Sequence, residues 1–373
     1  MRETPTSSAR ASTTRPGSIS PGTPQRSCSS VTPTAGGPSN IRRRPMMCSR
    51  PWIRSRRSSS AGPGRVTTCP CALGRRNTAC KWKIHPCGCL SKGANMPTSD
   101  WPELAGDAQS RWNLNAGFWD DYMGEHSNDF HNLLVRPAME RLLDVKSGDN
   151  VLDIACGNGN FSRFLAGLGA RVTAIDGSAG MIDKARKHSE GHGTGASENE
   201  PAGEIDYRVI DVTDTKELEG LGRNSFDAAV SNMAVMDMAE VGPMFGAVHG
   251  LLKPSGVFVF SLTHPCFQAP YAVRYAEQVD QDGRMIQKVG IKIDRYLTPQ
   301  PFEGLAIVGQ PVPNLIFHRP LSALLAACFE AGFVLDGLEE RAFDESVEAD
   351  RELSWANFRE TPPMMAVRLR RMV

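Results

Sequence analysis

The chain has 373 residues and a formal net charge of +1, enough for one large domain or two ordinary ones with a sizeable buried core. The near-neutral sum conceals two unlike polymers: residues 1–95 hold 17 Lys and Arg against one acid, Glu3, while the remainder holds 25 bases against 40 acids, a net of −15. An acidic folded part argues against a nucleic-acid substrate, no window approaches the ~18 apolar residues of a membrane span, and no apolar stretch follows the basic N-terminus as in a secretion signal.

Residues 1–95 are rich in Ser, Arg, Pro, Thr and Gly and lack periodic apolar positions. Such a segment cannot bury enough surface to offset its ordering entropy and is expected to be disordered. Three readings are open, in order of preference: upstream sequence translated from a start placed too early, with Met96 the true first residue; an organellar transit peptide; or a basic arm for nucleic acid. Seven of the ten cysteines lie here, and Cys69-Pro-Cys71, Cys80 and Cys87-Gly-Cys89 with His85 invite a zinc reading. The C-x-C spacing is not that of common structural sites, so no metal is expected. Only Cys156, Cys266 and Cys328 remain beyond, which fits a reduced, cytoplasmic protein, or a mitochondrial one if the segment is a transit peptide.

From Trp101 the composition becomes that of a folded protein. Residues 96–145 predict a helical cap, with Arg111–Glu125 carrying Phe118, Trp119 and Tyr122 and Asp129–Leu143 carrying His131 and Arg136. The aromatics either pack into a core or lie over a ligand pocket. Residues 146–373 then alternate: strand Val151–Ala155, helix Phe161–Leu168, strand Arg171–Ile175, helix Ala179–Lys187, a polar loop from Ser189 to Glu204, strand Ile205–Ile210 and strand Phe226–Val230. Helix Val241–Leu252 follows, then a Lys253-Pro254-Ser255-Gly256 turn and strand Val257–Leu262. Residues 267–319 break the rhythm and read as an irregular lid or binding insertion, with Arg284–Tyr296 a strand or hairpin arm. Helix Ser322–Phe329, strand Phe333–Leu338 and strand Ala366–Leu369 complete a doubly wound, mostly parallel, seven-stranded α/β sheet.

In such sheets a ligand lies beyond the carboxyl ends of the strands. Gly157-Asn158-Gly159-Asn160 follows the first strand, Asp176-Gly177 the second, Asp211-Val212 the third, Asn232-Met233 the fourth and His264 the fifth. A strand-two acid is suited to accept from both ribose hydroxyls of a nucleoside, and Asp211 from an exocyclic amine. Asp153, inside the first strand, either steadies the glycine turn or meets a cationic ligand group. Singly each acid reads as a cap or turn residue; together at strand ends they read as a site.

Taken in order, VLDIACGNGN, VTAIDGSAGMIDKAR, Asp211, FDAAVSNMAVMDM and LLKPSGVFVFS resemble the class I S-adenosylmethionine-dependent methyltransferases, from about Arg111 to Val373. The resemblance implies a Rossmann-like methyltransferase fold and S-adenosylmethionine as cofactor. It implies that Gly157, Asn158 and Gly159 line the methionine part, Asp176 the ribose, Asp211 and Val212 the adenine, Asn232 and Met233 the rear wall, with Met181 near the adenine. Asn160 stands where the family often has a third glycine, which reads as a change of local contacts. An NAD(P)-binding oxidoreductase is the competing reading, weakened by Ser162 where its third glycine belongs; a non-catalytic methyltransferase-like protein with a basic arm is the other.

Methyl transfer from a sulfonium is an in-line displacement in which the protein chiefly aligns the acceptor. His264 is the expected base if one is needed, against a plain turn role. Arg136 pairs either with the cofactor carboxylate or with a surface acid, and His318, in Phe317-His318-Arg319-Pro320-Leu321-Ser322, is expected near the substrate side. A cap and a long insertion suggest an enclosed pocket and a small organic acceptor, with O-, N- and C-methylation not separable from these residues.

Overall fold

A computed structural model of the protein describes residues 99–190, 203–349 and 351–372. The basic segment 1–95, its Cys/His cluster and most of the loop from Ser189 to Glu204 lie outside the described residues.

The apolar positions of the strands alternate between two faces, and helices cover both. In β1 (Asn150–Ile154), Val151 and Asp153 point one way, Leu152 and Ile154 the other. A 3-10 turn (Pro102–Leu104) leads into α1 (Ala105–Met123), and a π-helical turn (Phe130–Val135) into α2 (Arg136–Leu143). After β1 come α3 (Asn160–Gly167), β2 (Arg171–Asp176), α4 (Ala179–Glu190), β3 (Ile205–Val209), α5 (Thr215–Glu219), β4 (Phe226–Ser231), α6 (Gly242–Leu251) and β5 (Leu252–Thr263). Two hairpins follow, β6 (Val273–Gln281) with β7 (Arg284–Lys292) and β8 (Gln300–Gly304) with β9 (Asn314–His318), then α7 (Leu321–Glu330), β10 (Phe333–Arg341) and β11 (Met364–Arg371). The helices α2, α3 and α4 share one core cluster with the Val151 face; α5, α6 and α7 share the other with Leu152, Ile154, Phe258 and Phe260.

The seven-stranded sheet runs β10-β11-β5-β4-β1-β2-β3, with β1 to β5 parallel and β11 antiparallel to both neighbours. The chain winds outward through β1, β2 and β3, then crosses back to β4. The strand order therefore reverses between β1 and β4, and the crevice over their carboxyl ends is where such sheets hold ligands.

Three features differ from the sequence expectation. Lys253-Pro254-Ser255-Gly256 is not a free turn: it lies inside a 12-residue β5, where the register with β4 shifts and Ser255 takes φ +67°. Lys253 Nζ pairs there with Asp227, 2.7 and 2.8 Å from its two oxygens, while Asp227 also accepts from Asn150 N. The insertion is not irregular but two antiparallel hairpins, the first closed at Asp282-Gly283, both with positive φ, the two-residue turn that matches strand twist. Finally, Asp214 caps a short helix that periodicity did not announce, accepting from Lys216 N and Glu217 N.

One buried guanidinium joins the cap, the insertion and the sheet. Arg319, 3% exposed, follows β9; Nε donates to Ser99 O at 2.6 Å, and Nη2 lies 3.0 Å from Asp100 Oδ1, 3.0 Å from Met238 O and 2.8 Å from Ala239 O. It sits over the rings of Trp101 and Phe317 at 5.1 and 5.8 Å. Arg319→Ala removes the cationic partner of Asp100 and the donor to three carbonyls, so urea denaturation is expected to show a loss of about 3 kcal/mol in unfolding free energy.

Candidate cofactor and acceptor cavity

A cavity of about 520 Å³ lies over the carboxyl ends of β1 to β4, within the ~300–1,000 Å³ range of small-ligand sites. It is roofed by α1, by the residues leading into α2, and by β9 of the insertion.

Its floor is the turn after β1. Gly157 takes φ +57°, and nothing lies within 4 Å of where a Cβ would stand, so bare backbone faces the cavity. Gly159 (φ +75°) is different. It is not on the cavity wall, and a Cβ there would come within 2.5 Å of Tyr207 Oη and 3.0 Å of Ala185 Cβ. The second glycine thus serves packing of the turn against β3 and α4, a correction to the expectation that it lines the cofactor. Asp153, fully buried, accepts from Ser162 Oγ at 2.6 Å, which accounts for a serine where the dinucleotide fingerprint has glycine. Its other oxygen, Oδ1, has no partner among the described residues. Burial pushes this carboxyl up to about 7.

Asp176 ends β2 with one oxygen on Gly157 N (2.9 Å) and the other on Ser178 N (2.8 Å). It steadies both turns while lining the cavity beside Gly177, and burial raises its pKa more than these two bonds lower it. The sequence alternative that Asp176 and Ser178 cap α4 is also present, since Met181 N donates to Ser178 Oγ. Asp211 accepts from Thr213 N and Oγ1 and, with Val212 and Met181, continues the same wall. Asn232 and Met233 line it beyond β4; Met233, at φ +55°, is held by its N–H on Ser261 Oγ at 2.9 Å, and Ser261 Oγ donates to Asn232 Oδ1.

The roof carries most of the cap residues named from sequence. Trp119, half-exposed Tyr122, His131 and Arg136 line the cavity, and the buried Trp119 Nε1 has no acceptor among the described residues. The buried side of α1 is instead Ala108, Asn115, Ala116 and Asp120. Asn115 holds the insertion through Val312 and Asn314. Asp120 accepts from Asn158 Nδ2 (3.1 Å), His188 Nε2 (2.6 Å) and Lys184 Nζ (3.0 Å). Burial raises its carboxyl, but these three partners together bring it below the usual range. Asn160 accepts from Arg136 Nη2 at 3.1 Å and donates to Glu125 O, so the residue replacing a glycine ties the turn to the roof. His131 shares a hydrogen bond with Asn128 Oδ1 at 2.9 Å; burial, then the Arg136 charge, lowers its pKa to about 4.

Three expected residues are not brought to this cavity. Phe118 stacks on Tyr122 outside it. His318 bonds Tyr296 O at 2.7 Å beside a separate void of about 20 Å³. His264 is 2% exposed, with Nε2 2.7 Å from Glu340 Oε1 and Nδ1 accepting from Cys266 N. It spans the ends of β5 and β10 away from this cavity, in the turn role weighed against that of a base. Conversely, Asp237 lines the cavity and had not been singled out, although it lies in the quoted run FDAAVSNMAVMDM. The signal available was an acid five residues past Asn232 in an otherwise apolar segment.

The unpaired Asp153 Oδ1 and Trp119 Nε1, the open Gly157 and the strand-end acids together fit a nucleoside bearing a cationic amino-acid arm. Comparison with known proteins agrees. Residues 152–260 match the family described as Methyltransferase domain. The crystal structure of an S-adenosylmethionine dependent methyltransferase from Mesorhizobium loti is similar at 30% identity, covering 63% of this chain and 96% of that one with a TM-score of 0.49. The chain belongs to the class I S-adenosylmethionine-dependent methyltransferases. Among curated relatives, O-methyltransferase cnsE of Penicillium expansum is 25% identical over 48% of this chain, and a ubiquinone biosynthesis O-methyltransferase of Xanthomonas axonopodis 35% identical over 31%. These matches span 65% and 43% of the relatives' own lengths.

Two outcomes follow from this geometry. Gly157→Ala costs only the left-handed backbone strain of roughly 1–2 kcal/mol, whereas Gly159→Ala adds the Tyr207 clash and loses more in a denaturation series. Between about pH 4 and about pH 7 the unfolded chain has released the Asp153 proton while the folded chain keeps it. Stability therefore falls as pH rises through that window, and Asp153→Asn makes the fall in Tm shallower.

Proposed function

We propose that this chain transfers a methyl group from S-adenosylmethionine to an oxygen of a small organic acceptor. The observation that carries the reading is that one cavity joins the strand-end acids Asp176 and Asp211 to an aromatic and apolar compartment under α1 and β9. The O-methyltransferase names of the curated relatives favour oxygen as the acceptor atom. In this reading Asp176 accepts from the ribose hydroxyls, Asp211 and Val212 hold the adenine beside Met181, and Asn232 and Met233 form the rear wall. Arg136 pairs with the amino-acid carboxylate and Asp153 Oδ1 faces the amino group.

When bound, S-adenosylmethionine supplies an electrophilic methyl on a sulfonium. The chain's own residues then have two tasks: to align the acceptor in line with that carbon, and to exclude water. The roof residues Trp112, Trp119 and Met123 and the insertion's Ile316 suit both. The dinucleotide alternative is disfavoured by the sheet itself, since the usual order 3-2-1-4-5-6 has no reversed strand between its fifth and sixth members. No described helix is long and apolar enough to cross a membrane. The free thiols of Cys156, Cys266 and Cys328 support action in the reducing cytoplasm.

Titration calorimetry is expected to show S-adenosylmethionine binding that weakens at least about tenfold in Asp176→Ala, the scale of losing charge-assisted hydrogen bonds. Absence of binding to the native chain overturns the reading. Labelled cofactor incubated with a metabolite extract and with small phenols identifies the compound that gains the methyl.

A further inference from the structure

Every other acid on the cavity wall is engaged. Asp120 holds Asn158, His188 and Lys184; Asp153 holds Ser162; Asp176 holds two backbone N–H groups; Asp211 holds Thr213. Asp237 is the exception. It ends the 3-10 turn Val235–Asp237 after β4, and its carboxyl makes no hydrogen bond or ion pair among the described residues. Its neighbours on the wall are Met236, Met238 and Ala239, with Ile316 of β9 also on the wall. Asp237 is partly exposed on an otherwise apolar stretch of the wall, so its carboxyl, held by no protein group among the described residues, is free to meet a ligand.

The position of the turn says which ligand. Asp176 and Asp211 lie at the ends of β2 and β3, on one side of β1; Asp237 follows β4, on the opposite side of the reversal point. A nucleoside held by the first pair, with Asn232 and Met233 behind it, leaves the far end of the segment after β4, the turn Val235–Asp237, to the second substrate. We propose that Asp237 receives the proton of the acceptor's nucleophile during methyl transfer, and that the acceptor is therefore a protic O–H or N–H compound rather than a carboxylate. This rests on the methyltransferase reading above. The charged groups on the surrounding elements are committed elsewhere: His318 of β9 to Tyr296, Arg319 to Asp100, and Arg111 of α1 to Asp107 and Glu303. The nearest acid along the chain is Glu240, three residues on, and no neighbouring charge perturbs Asp237; burial alone pushes it well above the usual carboxylate range. Asp120, Asp153, Asp176, His131 and Arg136 are the remaining titratable wall groups that burial perturbs alongside the thiol of Cys156.

The apolar surroundings of Asp237 favour its neutral form, and a cation sharing the cavity favours the carboxylate. The base is thus formed by the charge of the methyl donor. As the acceptor's oxygen or nitrogen bonds to the methyl carbon, the carbon–sulfur bond breaks with its electron pair left on sulfur. The acceptor's proton passes to Asp237 and from there to solvent.

The test separates this from the parent reading. Near pH 7, calorimetry in two buffers of different protonation enthalpy compares S-adenosylmethionine with S-adenosylhomocysteine, which lacks the sulfonium charge. The native chain is expected to release more protons with the first, and Asp237→Asn to show no such difference while binding S-adenosylmethionine within about threefold of native. Labelled-methyl incorporation from an extract is expected to fall about 10²–10⁴-fold in Asp237→Asn, with Asp237→Ala as low and both variants keeping the native Tm. A native chain that binds neither ligand overturns the methyltransferase reading and the proposal with it. If both bind and the variant keeps the proton difference, keeps native turnover, or loses more than about tenfold in cofactor affinity, the proposal alone falls.

Discussion

The guanidinium of Arg319 is the constraint on which the site depends. Two segments distant in sequence converge on it, Ser99-Asp100-Trp101 at the start of the cap and Met238-Ala239 after β4, and the rings of Trp101 and Phe317 flank it. A planar charge removed from water needs several acceptors at fixed directions, and no single element supplies them. Satisfying it brings the insertion down onto the β4 turn, and β9 packs on that turn as a result. The sheet sets where a cofactor lies; this buried cation sets how the roof closes over it.

The cavity that results concentrates acid in an apolar shell. Carboxyls at the ends of parallel strands are drawn there because strand ends expose backbone N–H groups to accept from, as Asp176 does from Gly157 and Ser178. Desolvation then pushes Asp153, Asp176 and Asp237 toward their neutral forms. A cationic ligand relieves that cost, so the same feature that destabilises the free fold favours a sulfonium cofactor. Arg136 is the wall's guanidinium and is itself turned toward Asn160 and the Phe164 ring.

Much of this was legible in the chain. The alternation of apolar runs with helical periods located five parallel strands and α3, α4, α6 and α7 within a few residues, because both depend on burial of local side-chain patterns. Within the insertion the alternation of Arg284–Tyr296 announces a strand or hairpin arm, which β7 bears out, while its partner β6 and the second hairpin were not read, although Asp282-Gly283 is a hairpin signal. For His264 the choice between a base and a turn residue was not legible, because position past a strand does not reveal which way a side chain turns; Glu340, 76 residues away, captures it. Gly159 was misjudged for a related reason, since its requirement comes from Tyr207 on another strand.

The amino-acid order by itself determined the sheet, the turn after β1 and the acids at the ends of β2 and β3. Those properties arise from neighbours in sequence: periodicity, positive φ at glycine, a carboxylate beside free N–H groups. Which side chains face the cavity was decided only in three dimensions. Asp237 has no partner among the described residues, while Asp120 is held by His188 and Lys184 from another helix and His264 is drawn to Glu340. Partnership between charged groups depends on distance through space, and that distance is set when the cap and insertion pack on the sheet around Arg319.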